Sequence, residues 1–131
     1  LDPENPELFV DRAQAAAAMG AWKRAEEDLG AALNMDPELV DALVFRAAAR
    51  RHLGDMKNAE ADAEAALKRD PGSIEAHLEN GILHRHAGRK SAARVSWLEV
   101  IRHAPGTPAA RAARDHLQQM DDPERQKSKS E

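Results

Sequence analysis

An all-α fold assembled from a repeated pair of helices is what this sequence predicts, and three observations carry the prediction. The composition is helical: 42% of the 131 residues are apolar and 32% charged, with two tryptophans, two phenylalanines and no tyrosine. Alanine, leucine, arginine, lysine and glutamate, all strong helix formers, are abundant, while the β-branched and aromatic residues that favour strands are scarce. The prolines Pro3, Pro37, Pro71 and Pro105 each follow the last by 34 residues. The same interval separates Gly20, Gly54 and Gly88, and Ala25, Ala59 and Ala93, while Ala32-Leu33 returns as Ala66-Leu67 and then as Val100-Ile101. Three residue types held in one register mark an internal repeat.

The elements follow in chain order. Residues 1–5 read as the close of a preceding unit, because LDPE at 1–4 matches MDPE at 35–38. Units then span residues 6–39, 40–73 and 74–107. Each opens with an apolar pattern of helical period, as in Val40, Leu43, Val44, Ala47 and Ala48, which ends at a glycine able to adopt the left-handed conformation that closes a helix. Cations just before Gly54 and Gly88, in RRHL and HRHA, suit a helix C-terminus. A second helix follows, from about Lys57 to Arg69 in the middle unit, and Asp70-Pro71 stops it, since proline lacks an amide hydrogen and disfavours α conformation in the residue before it. Ser73 or a neighbour can cap the helix after that. Residues 108–120 form one more helix, with Leu117 and Met120 on one side and Arg111, Arg114, Asp115 and Gln118 on the other. Residues 121–131, with no apolar side chain, predict a disordered tail.

Charge and composition exclude several functions. A net charge of −4 offers no clustered basic surface for phosphate neutralisation, which argues against nucleic-acid binding. There is no cysteine, hence no disulfide or thiolate metal site, and redox chemistry says nothing of the compartment. No apolar run approaches the roughly 20 residues that cross a bilayer. The glycines stand one repeat apart, not clustered in a phosphate loop, and Ser73, Ser91 and Ser96 have no base at a telling spacing. Carboxylate pairs such as Glu26-Glu27 and Glu60-Glu64 read as solvated helix faces. No catalysis and no cofactor is expected. The imidazoles of His84 and His86 lie about 200° apart on a helix and cannot share an ion. His52 and His86 lack a third ligand, so no metal is expected either.

A 34-residue helix-turn-helix with a central glycine, a small alanine early in its second helix, Ala-Leu late in it and Asp-Pro at its end resembles the tetratricopeptide repeat. The resemblance implies a right-handed α-solenoid of three repeats plus a C-terminal capping helix, forming the C-terminal part of a longer array. The departures are informative. Phe9, Leu43 and His77 stand where the family has an aromatic early in the first helix, and Ala16, Arg50 and His84 where it has a buried tyrosine. Ala13 and Ala47 replace a small glycine that survives as Gly81. Smaller residues predict closely approaching helices, with Trp22 and Trp97 restoring the lost bulk.

In this family the first helices line a concave groove that holds a partner segment. Carried over position by position, that groove comprises Val10, Asp11 and Gln14 in the first unit, Val44, Phe45, Arg51 and His52 in the second, and Leu78, Glu79, Ile82, Arg85 and His86 in the third. Glu7, Ala17, Asp41, Ala48 and Glu75 are the remaining groove positions carried over in the same way. Acids near the starts of these helices and cations near their ends form two rails over a floor of Val10, Val44, Phe45, Leu78 and Ile82, suited to a protein or peptide segment of opposite charge order. The rails alone also follow from the helix macrodipole, at about 0.3–1 kcal/mol per residue, so the apolar floor weighs more. Members that grip a chaperone's terminal carboxylate use lysine and asparagine in the first unit, asparagine in the second, and lysine with arginine in the third. Val10, Gln14, Phe45, Glu75 and Glu79 occupy those positions here, so that clamp is absent. The expected function is a non-catalytic interaction scaffold. The alternative is an assembly element that self-associates as a homo-oligomer or packs on its own upstream repeats.

Overall fold

The computed structural model describes residues 5–122, and the expectations for residues 1–4 and 123–131 lie outside them. Among the described residues there are seven helices and no strand: α1 (Pro6–Ala18), α2 (Trp22–Met35), α3 (Val40–His52), α4 (Met56–Arg69), α5 (Ile74–His86), α6 (Lys90–His103) and α7 (Pro108–Asp121). Helices α1 to α4 form one compact unit and α5 to α7 another.

The hairpins turn where the glycines predict. Gly20, Gly54 and Gly88 have φ of +75°, +85° and +83°, a region that costs a side chain but not glycine. At the end of α3 the amide of Gly54 donates to the Arg51 carbonyl (3.0 Å) and that of Asp55 to the Arg50 carbonyl (2.8 Å), the paired bonds of a Schellman motif. The same pair closes α1 at Gly20 and Ala21, and α5 at Gly88 and Arg89. The second helices end differently. Asp36 and Asp70 take extended backbone before their prolines, at φ −140°, and each carboxylate accepts an amide two residues on, at 3.1 Å. Helix α7 begins at Thr107, whose hydroxyl accepts from the Ala110 amide at 3.2 Å.

The core of the first unit is built mostly from alanine. Ala13, Ala25, Ala32, Ala42, Ala47, Ala49, Ala59, Ala63 and Ala66 are each 1% exposed or less. Alanine gives little apolar area per residue but lets backbones approach closely, so many small contacts replace a few large ones. One position pair varies from repeat to repeat: Ala13 with Leu29, Ala47 with Ala63, and Gly81 with Trp97. The last pair concentrates the bulk. Trp97 is fully buried in a cluster with Ala93, Val100, Ala113 and Met120, edged by Ile74, Leu78, Ile82, Ile101, Ala109 and Leu117. Its indole N–H donates to the Leu78 carbonyl at 3.3 Å, and its ring stacks on His116 with centroids 5.0 Å apart. Burying about 200 Å² of indole contributes roughly 5 kcal/mol, which makes Trp97 the chief anchor of the second unit.

Two expectations need correction. Trp22 does not share this role: it is half-buried at the edge of the first unit, with its ring stacked on His52 of α3. Nor does disorder begin at residue 121. The last helix continues through Asp121, whose carboxylate takes two bonds from the Arg94 guanidinium at 2.9 and 2.6 Å. That pair holds the Asp121 carboxyl below its ordinary range.

Candidate functional site

In the first unit, α1 carries Val10, Asp11 and Gln14, and α3 carries Val44, Phe45, Arg51 and His52. The packing of α1 on α2 and of α2 on α3 brings two of these side chains to one hollow. Gln14, Ala17, Phe45 and Ala48 line it together with Ala13, Trp22, Ala25 and Leu29, enclosing about 70 Å³. Gln14 is its one amide, and the rest of the wall is apolar. Trp22, Ala25 and Leu29 are wall residues that groove positions counted along the first helices miss, because they stand on the second helix. The Trp22 ring lies flat on His52, with centroids 3.8 Å apart and planes 1° from parallel.

Val10 and Val44 do not face solvent. At 4% and 5% exposure they are core residues, correcting their assignment to an exposed groove floor. The close approach of alanine-rich helices encloses β-branched side chains at the edge of the contact stripe. Asp11 is exposed and Arg51 half-buried. In the second unit, α5 carries Leu78, Glu79, Ile82, Arg85 and His86. Leu78 and Ile82 are half-buried against the Trp97 cluster. Arg85 is half-buried and His86 exposed. Glu79, expected on the acidic rail, is 6% exposed and belongs to the interior.

The sequence reading also missed a ladder of polar pairs joining the two helices of each hairpin. Asp28 is buried and accepts from Arg12 Nε and Nη2 at 3.4 and 2.9 Å; Asp62, also buried, accepts from Arg46 at 2.8 and 2.8 Å. In the third repeat the same positions hold Asn80 and Ser96, 3.4 Å apart. The signal was present, since Arg12 and Arg46, and Asp28 and Asp62, keep the 34-residue register. Arg50, in the family's tyrosine position, extends the ladder: it donates to Asp62 at 2.9 Å and to Glu26 at 3.0 Å, tying α3 to both α2 and α4. Glu26 is therefore no solvated face residue. The hydrogen bond from Lys23, aided by that from Arg50, holds its carboxyl below the ordinary range despite opposing desolvation.

His52 is a group here whose proton affinity the fold changes. Burial, and secondarily the charge of Arg51, lowers its pKa, so the folded state prefers the neutral ring. The unfolded chain binds the proton more readily, so stability decreases as pH falls through the usual histidine value of 6.5 toward the lowered one, and is regained as pH rises. Thermal melts between pH 8 and 5 should therefore show wild type losing more Tm on acidification than His52→Asn. Parallel curves for the two proteins would rule out this linkage.

Among the described residues, no three histidine or carboxylate groups are placed to hold a metal ion, and no helix is long and apolar enough to cross a membrane.

Consecutive helical hairpins with a 34-residue register, glycine-closed first helices and proline-stopped second helices define a helical-repeat protein. Residues 10–74 and 58–110 match the family model of the tetratricopeptide repeat, and the chain belongs to that family. Solved structures agree in fold. The first repeat domain of human RPAP3 aligns with a TM-score of 0.83 and 17% identity over 98% of this chain and 99% of that one. The Arabidopsis OM64 repeat domain gives 0.79 and 22%, over 89% and 97%. The TPR2B domain of yeast Sti1, solved as a complex with pHsp70, gives 0.78 and 17%, over 86% and 93%. No curated protein sequence matches the chain.

Proposed function

We propose that the protein is a non-catalytic scaffold that holds a peptide segment of a partner protein along the first helices of its repeats. The observation that carries this reading is the apolar hollow at Gln14, Ala17, Trp22, Phe45 and Ala48. It has room for one small aliphatic side chain, and Gln14 offers an amide to the segment's backbone beside it. Repeat domains of the same fold have been solved with peptide partners, such as the second domain of human RPAP3 with an HSP70 peptide, which supports the class of ligand. Arg51 on the first unit, and separately Leu78, Ile82, Arg85 and His86 on the second, are the further contact residues of this reading. Neither a lysine nor an asparagine stands at Val10, Gln14, Phe45, Glu75 or Glu79. Recognition is therefore led by the apolar anchor and not by a terminal carboxylate.

Display selection from a library of natural peptide segments tests this. Wild type should enrich a motif with one fixed aliphatic position, and Phe45→Glu, checked for retained helicity by circular dichroism, should weaken binding of the enriched peptides by about 2 kcal/mol or more. Equal affinity for both proteins would remove the hollow from the reading.

A further inference from the structure

One helix crossing occurs in both units, and it is open in the first and filled in the second. The hollow of the first unit lies among Ala13, Gln14, Ala25, Leu29, Phe45 and Ala48. Two repeats on, those positions hold Gly81, Ile82, Ala93, Trp97, Ala113 and His116. In the second unit these residues gather round the indole of Trp97. Ala93 and Ala113 share its buried cluster, Ile82 packs against that cluster, and the His116 ring stacks on the indole with centroids 5.0 Å apart. A methyl on Gly81 would lie 2.6 Å from Trp97 Cδ1 and Cε2, so the ring presses on the α5 backbone where Ala13 keeps a side chain on α1. Leu29 springs from the same place on the second helix as Trp97. It is 1% exposed, yet it is too small to fill the crossing, and the space it leaves is the hollow.

We propose that Leu29 sets what the hollow accepts: an aliphatic side chain of the partner segment enters where Trp97 enters its own unit, and an aromatic side chain is excluded. The guest rests on the peptide-scaffold reading above, whereas the geometry rests on the repeat register alone. Protein interiors pack as densely as organic crystals, so methyl groups lining an unfilled crossing lack partner atoms that a guest can supply. A polar or charged guest would lose its water and find only the amide of Gln14. An aromatic guest would meet the Ala13 methyl and the Phe45 ring. The filled copy has Gly81 and Ala113 at those two positions, and with them it has room for an indole.

Xenon enters apolar hollows and reads them without any peptide. Titrated into the full chain carrying ¹³C-labelled alanine methyls, it should shift the Ala13, Ala25 and Ala48 resonances saturably and leave Ala93 and Ala113 in place. Ala13→Gly with Leu29→Trp gives the first repeat the pair that the third already carries. It should keep its helical circular dichroism and lose the shifts at Ala25 and Ala48. Leu29→Val, a smaller change, keeps the test decisive if that double variant does not fold. In display selection the wild type should disfavour phenylalanine at the anchor position by about tenfold or more, and Leu29→Val should move that position to a larger aliphatic residue. Xenon shifts in both units or in neither, or a folded double variant that still takes up xenon, would overturn the proposal whatever the peptides do. So would an anchor that prefers phenylalanine, or one that Leu29→Val leaves unchanged. Xenon uptake confined to the first unit with no peptide enriched would leave the geometry standing and overturn the scaffold reading, and the proposed guest with it.

Discussion

Gly81→Ala is expected to destabilise the protein by about 2 kcal/mol, although alanine has the better helix propensity. A methyl group built on Gly81 would come within 2.6 Å of Trp97 Cδ1 and Cε2, and closer still to Nε1. Trp97 is fully buried and tied to the Leu78 carbonyl, so the indole cannot swing away. Overpacking of this kind costs about 3 kcal/mol, and the propensity gain of about 1 kcal/mol offsets only part of it. Trp97→Leu alone should cost about 2–4 kcal/mol, since leucine leaves a cavity where the ring was. Together the two changes recreate the Ala13 and Leu29 pair of the first repeat, where both residues are 1% exposed. Gly81→Ala should then be nearly neutral, because the new methyl enters vacated space. Urea denaturation of the four proteins should therefore give a coupling of about 2 kcal/mol between the sites, and additive losses would show that the glycine is not retained to admit the tryptophan.

Asp62→Ala should be comparably damaging, at about 2–4 kcal/mol. Its carboxylate is 4% exposed and accepts three hydrogen bonds from Arg46 and Arg50. Removing it strands the Arg46 guanidinium and leaves Arg50 with Glu26 alone, and these two side chains are only 20% and 21% exposed. Losing one member of a buried pair costs about 3–5 kcal/mol, reduced here because each arginine keeps some contact with water. Asp28→Ala is the control one repeat earlier. Its partner Arg12 is 62% exposed and rehydrates once released, so the loss should stay near 1 kcal/mol. Thermal or urea unfolding of the two variants side by side measures the difference. Equal losses would mean that the exposure of the arginine does not set the cost.

The elements themselves were legible because their causes are local. Proline at 34-residue intervals, glycine at the hairpin turns and alanine at the helix crossings each act through backbone geometry that a short stretch of sequence specifies. The surviving Gly81 and the bulky Trp97 could be read as partners in kind, though not as a contact. What escaped was whatever depends on which side of a crossing a residue falls. Val10 and Val44 have the chemistry of a groove floor or of a core, and only the closeness of the alanine-packed helices buries them. Asp28, Asp62 and Glu79 look like solvent-facing carboxylates. For the two aspartates the interior position is possible because an arginine 16 residues away reaches them across the hairpin. Trp22 entered the candidate site from the second helix, which position counting along the first helices could not supply.

Within the first unit each helix packs chiefly on the next along the chain, α1 on α2, α2 on α3 and α3 on α4, and in the second unit α5 on α6 and α6 on α7. Closing such contacts ties up only short loops, so little chain entropy is spent before apolar surface begins to be hidden. A protein wired this way has low contact order, and refolding belongs to the microsecond-to-millisecond class of helical bundles. Any hairpin can serve as the starting nucleus.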